Sequence, residues 1–340
     1  MARISTCMIA FLCFSAALLA QQQSPLPELP ADIPKDAVVR MLLADKTPSG
    51  QDAVWKSPDG TIHEFFQFND RGRGPKIYTT YRLDSRGLIV SEESKGVDYM
   101  KSPVEERFSL AGSEAVWRNK AENEKQSNAS GKFFIDLNGG PESGAILARA
   151  LLMSGSAGKL PVLPSGTAVI RKLQSVPVEA SGQKSTATLY EISGLGFTPN
   201  YLWLDDDQQF LAATSGWSAL VRRGFESSVS QLRESQRQAE IAQAGELAKT
   251  LSHKPSGDLV IRNVTLFDSP AGKLLPNQRV TVRGERIASV EPDDGRPTPA
   301  NSQAIDGRGK MLLPGLWDMH AHLFPTYAFL DIAAGVTTVR

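Results

Sequence analysis

The sequence predicts a mixed α+β chain: an N-terminal antiparallel β-rich domain, a smaller β segment behind it, and the opening of a parallel β/α unit at the C-terminal end. Three observations carry this. From Val38 to Trp217, short runs of β-branched and aromatic residues alternate with Asn, Asp, Gly and Ser turns. The proline-free stretch 225–251 is dominated by Gln, Glu, Ala and Arg, which a helix accepts well. Near the C-terminus the order becomes strand, loop, helix, strand, which a meander does not produce.

With 340 residues the chain is long enough for one large domain or two ordinary ones. Hydrophobic residues are 41% and charged residues 22%, ordinary values for a globular protein. Lys plus Arg and Asp plus Glu both number 37, so there is no basic excess to hold nucleic acid and no acidic tail.

Residues 1–20 stand apart. Arg3 precedes the apolar run MIAFLCFSAALLA (Met8–Ala20), and polar QQQSP follows. The run is shorter than the roughly 20 residues a membrane helix needs. It reads as a secretory signal peptide, placing the protein outside the cytoplasm, secreted or periplasmic, with no stable membrane span after removal. An uncleaved anchor is the alternative. Both cysteines, Cys7 and Cys13, lie within this segment, so a processed chain has no disulfide. The proline-rich stretch 21–35 reads as an extended linker.

The β-rich domain is expected over 36–225. Its strands include TIHEFFQFND, KIYTTYRLD, GLIVSEES, ERFSL, EAVWRN, KFFIDL, TAVIRKL, TATLYEISG and YLWLDD. Turns are expected at Asp59-Gly60, Asn69-Asp70 and Ser85-Arg86-Gly87. Two helices are expected inside it, at 36–44 and at 143–155, the second from apolar residues at helical spacing. A connecting helix is expected over 226–252, broken by Pro255 and Gly257 in HKPSG. The alternating run DLVIRNVTLFD and the hairpin QRVTVRGERIASVEP then open a second β segment, 258–313. Residues 314–340 carry WDMHAHL, the helical TYAFLDIAAG and the β-branched VTTVR.

The chemistry-bearing residues are His320 and His322. Side chains at i and i+2 of a strand share one face, so both imidazoles can reach one cation. Imidazole suits zinc and similar divalent metals. A lone His-x-His is weak, but these are two of only four histidines. Asp318 falls on the same face, either supporting a ligand histidine or making a structural bond. Trp317 points the other way, as a core residue. His63 and His253 stand alone, and RGRG at 71–74 is a turn with no nucleotide fingerprint.

Taken in order, DLVIRNVTLFD, VTVRGERIASVEP with Gly284 at its turn, AIDGRGKMLLPGLWDMHAHL and AAGVTTVR resemble the N-terminal part of the metal-dependent amidohydrolase superfamily, in the group similar to imidazolonepropionase and prolidase-like enzymes. The resemblance covers 258–340. It implies a small β-sandwich over 258–313 and the first two strands of a (β/α)8 barrel over 314–340. It further implies a divalent metal, zinc, as one or two ions with His320 and His322 among the ligands, and hydrolysis of a C–N bond in a small amide or cyclic amide. The family's bridging carboxylated lysine or glutamate, two further histidines and proton-handling aspartate come from later strands, and no residue here is assigned a catalytic role. Residues 1–340 are therefore expected to be inactive alone, and 311–340 to expose apolar strand faces. The alternative is a periplasmic β-rich module that binds a lipid-like ligand and carries a vestigial amidohydrolase segment.

Overall fold

The computed structural model describes residues 26, 28–155, 157–180, 182–322, 324–325 and 327–340. The expected signal peptide and most of the linker's first half lie outside the described residues.

Eight strands follow one another and pair with their chain neighbours: β1 (Val38–Ala44), β2 (Thr47–Lys56), β3 (Ile62–Phe68), β4 (Lys76–Leu83), β5 (Ile89–Val97), β6 (Pro103–Ala111), β7 (Glu114–Arg118) and β8 (Asn123–Gln126). Next come β9 (Phe133–Phe134), helix α1 (Glu142–Met153), β10 (Lys159–Leu163), β11 (Thr167–Ala180), β12 (Gln183–Ser193), β13 (Asn200–Leu204), β14 (Phe210–Thr214) and β15 (Ser218–Arg222). Strand β15 returns to pair with β1, Met41 opposite Val221, so the two runs merge into one 15-stranded sheet. Every pairing is antiparallel except β9 with β10.

The sheet curls around α1. Tyr81, Phe108 and Trp117 from one half share a core with Phe134, Ile192 and Leu204 from the other, and Ile146 and Leu151 of α1 lie between them. The stacked Phe108 and Phe134 rings, 4.1 Å apart, mark the closest join. Alternation along β13 shows how one strand serves two cores. Leu202 and Leu204 face inward, while Trp203 faces outward onto Val229 and Leu232 of the next helix.

Segment 36–44 is strand β1 and not the helix its spacing predicts. It is central, paired with β2 on one side and β15 on the other, and the ladder bonds on both sides override a short apolar pattern. At 143–155 the structure has α1, whose first free N–H, that of Glu142, donates to Glu64 Oε1 of β3 at 2.7 Å.

After a 3-10 turn (Glu226–Ser228), helix α2 spans Val229–Leu251. Its first half buries Val229, Leu232 and Gln236 against the outside of the sheet, whereas Ile241, Leu247 and Leu251 in its second half are exposed. A second sheet follows from β16 (Leu259–Asp268), β17 (Lys273–Arg283), β18 (Arg286–Pro292), β19 (Gln303–Asp306) and β20 (Met311–Leu312), in the order β18-β17-β16-β19 with β20 also on β16. It is one five-stranded sheet, where the sequence reading expected a sandwich. Val260, Val264 and Val280 are buried, but Leu274, Ile287, Val290 and Ile305 are exposed, because no second sheet among the described residues covers them. Asp293 pins its central bulge, accepting from both the guanidinium of Arg262 and the N–H of Asn263; the Arg262 contact holds its carboxyl down at about 2.

The chain ends in β21 (Leu316–Asp318), helix α3 (Ala328–Ala333) and β22 (Val336–Val339), with β21 and β22 parallel. This is a single βαβ unit. The expectation of barrel strands goes no further among the described residues.

Candidate metal centre

Two tight approaches set the path into β21. The N–H of Gly307 donates to Arg262 O at 2.7 Å, closing the turn after β19. Gly315 then passes so near β22 that a Cβ there would sit 2.0 Å from Thr337 Oγ1, which explains Gly in Leu-Pro-Gly on contact grounds. Gly335, at φ +82°, ends α3 and starts β22.

Strand β21 stops at Asp318, so His320 and His322 lie in the loop just past its C-terminal end and not on the strand itself. They are nonetheless side by side. Their ring centres are 5.3 Å apart and the planes are inclined by 73°. A cation held tetrahedrally about 2.0–2.1 Å from one nitrogen of each ring would separate the ring centres by about 5 Å, close to the spacing of this pair. Both side chains are exposed. Among the described residues, no group of three or more His, Cys, Asp or Glu is arranged to hold a metal.

The loop is fixed through its backbone. Asp318 Oδ1 accepts the backbone N–H of His320 at 2.9 Å, so of its two expected roles it takes the structural one. Arg340 N–H donates to Asp318 O, and Ala321 N–H donates to Arg340 O, which ties the loop to the end of β22. Trp317 is 69% exposed; the expectation of a core residue fails because no described element packs on that side of β21.

One contact could not be read from the sequence. Trp217, on the β14–β15 turn, meets the His322 ring edge-on with centres 5.2 Å apart. Ser215 Oγ holds that turn by accepting the N–H groups of Trp217 and Ser218. Gly216 faces Phe324, where a Cβ would come within 2.8 Å of the ring. The β-rich domain therefore supplies one wall beside the histidine pair. The other histidines are apart from it: His63 bonds Ser57 Oγ at 2.7 Å and stacks on Trp55, and His253 lies in the coil after α2.

A second constellation lies inside the curled sheet. Arg40 of β1 bonds Asp52 at 2.8 Å and also Glu142, with its guanidinium 4.2 Å from the centre of the Phe210 ring. Arg149 takes the other oxygen of Glu142 at 2.6 Å. Burial works against the Glu142 charge, but the two guanidiniums overcome it and hold the carboxyl below its usual range. Among the described residues Glu92 and Asp136 have no such cation, and at Glu64 the pull of Arg40 does not outweigh burial. Burial, aided by neighbouring carboxylates, pushes Asp136 up to about 7, Glu92 to about 8 and Glu64 well above its ordinary value. Tyr81 Oη lies 3.3 Å from both Glu64 Oε2 and Asp136 Oδ2; its single proton serves one of them, and a protonated carboxyl satisfies the other contact.

No protein-family model matches this chain. An adenine deaminase of Rubrobacter xylanophilus is 41% identical over 78 residues, 23% of this chain and 13% of that protein. An imidazolonepropionase of Anaeromyxobacter sp. is 38% identical over 77 residues, 21% of this chain and 18% of that protein. The chain thus spans 13% to 18% of the length of these curated relatives. Among solved structures, a β-barrel-like protein of unknown function from Brucella abortus aligns with 55% of this chain and 94% of its own, at 12% identity and a TM-score of 0.34.

Proposed function

We propose, from a segment whose homologues place it in the amidohydrolase superfamily, that this chain is part of an exported metal-dependent hydrolase acting on a C–N bond of a small amide or cyclic amide, with His320 and His322 as ligands to a divalent cation, zinc. The observation that carries the reading is the paired imidazoles, 5.3 Å apart, at the C-terminal end of a parallel strand. The apolar run Met8–Ala20 supports the export.

His320 and His322 would hold a divalent ion, whose chemistry when bound would be to lower the pKa of a water and polarise a carbonyl. The chain's own residues prepare the place. Asp318 and Arg340 hold the loop by its backbone, so the two rings stay paired without a side-chain bond to either. Trp217 limits the swing of the His322 ring and shields one side of it from water.

The test is zinc titration of the metal-free protein by calorimetry, with cobalt absorption as a second readout. One saturable site is expected, lost in both His320→Ala and His322→Ala. Retention of that site in the double variant removes the reading. Because catalytic zinc uses three protein ligands, residues 1–340 are expected to bind metal without hydrolysing amides.

Trp217→Ala should weaken zinc binding by about two- to twelvefold, the worth of an edge-on aromatic contact of roughly 0.5–1.5 kcal/mol, while leaving the melting temperature of the β-rich domain unchanged. An unchanged zinc affinity would mean that the Trp217 contact does not order the ring.

A further inference from the structure

Beside the histidine pair, between α2, the β14–β15 turn and the segment after His322, lies a cleft of 640 Å³. Arg233 of α2 lines it. The Nε and Nη2 atoms of Arg233 are buried and meet no acceptor among the described residues. These two N–H groups lie on one edge of the guanidinium, parallel and spaced to meet the two oxygens of a carboxylate. A buried guanidinium edge without an acceptor is costly.

The surrounding polar groups are already matched. Arg237 gives both Nε and Nη2 to Glu234, at 2.8 and 2.6 Å. Gln236 is bonded to both the hydroxyl and the carbonyl of Thr214, and donates to Glu240 at 2.8 Å. The group in the wall left unmatched is the Nε/Nη2 edge of Arg233. Glu240 in its wall disfavours a dianion, and the remaining cation, Arg237, is taken, so a monoanionic carboxylate suits it better than phosphate. The cleft also adjoins the candidate metal pair. Gly216 and Phe324 line it, one residue from Trp217 and two from His322 respectively.

We propose that Arg233 anchors the carboxylate of a small amide-bearing acid, so that its C–N bond lies toward His320 and His322. The carboxylate site stands on the Arg233 geometry alone; the direction of the amide rests on the metal reading above. Since both Arg233 nitrogens are covered, binding must displace part of the cleft rim.

The experiment uses the full chain, metal-free, with hippurate, benzamide and inorganic phosphate as calorimetric probes. Hippurate should bind saturably, and benzamide, which has the amide but no carboxylate, at least about tenfold more weakly. Arg233→Met keeps the side chain's apolar stem and should weaken hippurate by about 10- to 100-fold with benzamide unaffected. Arg233→Lys, which keeps the charge but not the fork, should not restore it. Arg237→Met should leave hippurate affinity as it is, and thermal melts of each variant report its folding. Absence of hippurate binding, full affinity in a folded Arg233→Met, or phosphate binding as tightly as hippurate overturns the proposal. The His320→Ala, His322→Ala double variant separates the two readings. It should lose zinc and keep hippurate, so failure of the metal pair leaves the Arg233 site standing.

Discussion

Arg40→Ala is expected to lower folding stability by about 3–5 kcal/mol, the typical cost of removing one partner from a buried ionic network. Arg40 sits on a central strand, almost wholly excluded from solvent, and faces Asp52 and Glu142. Its removal leaves Asp52 with no cation and Glu142 with Arg149 alone. Neither carboxylate can turn to water, because the curled sheet encloses both. Urea unfolding followed by tryptophan fluorescence measures the loss. Arg71→Ala is the control. That arginine pairs with Asp70 on the surface, and its loss should cost less than about 1 kcal/mol. A similar small cost for Arg40→Ala would show that the interior pairs do not hold the curl together.

The same interior makes stability fall as pH rises. Glu92, Asp136 and Glu64 have folded pKa values above those of the unfolded chain, because burial disfavours their charged forms. A group of this kind contributes its full stabilisation below its unfolded pKa and loses it as pH rises through its folded pKa. For Asp136 and Glu92 that window extends to about 7 and about 8. The surface carboxyls Asp59, Asp306 and Glu234 are shifted down instead, so their contributions are complete once pH passes the unfolded carboxylate range and add no slope above it. The folded state should lose stability progressively from about pH 5 to about pH 8, the interval bounded above by the folded values of Asp136 and Glu92. Glu92→Gln, which cannot ionise, should flatten the upper part of that slope. Thermal melts across the range check both statements, and a stability that rises across that interval contradicts the assignment.

Much of the local structure was legible in the sequence. Alternation marked runs such as KIYTTYRLD as half-buried strands, and α2 followed from composition and the lack of proline. Segment 36–44 was misread because its short apolar pattern suits either element. The deciding fact, hydrogen-bonded neighbours on both sides, lies at residues 47–54 and 218–222. The histidine pair was legible as a pair, yet its rings meet in a loop and not on the strand that the two-residue spacing suggested.

What the sequence determined by itself is what short-range periodicity and an ordered motif can carry: a β-rich chain, one long helix, and an amidohydrolase-like segment with two adjacent imidazoles. Only the tertiary structure decided which charges are buried together, that Trp217 stands against His322, and that the Arg233 edge beside them meets no acceptor among the described residues. The physical reason is range. A side chain's period is set by its own backbone, whereas its partner, its dielectric and its solvent access are set by residues that only the curled sheet brings near.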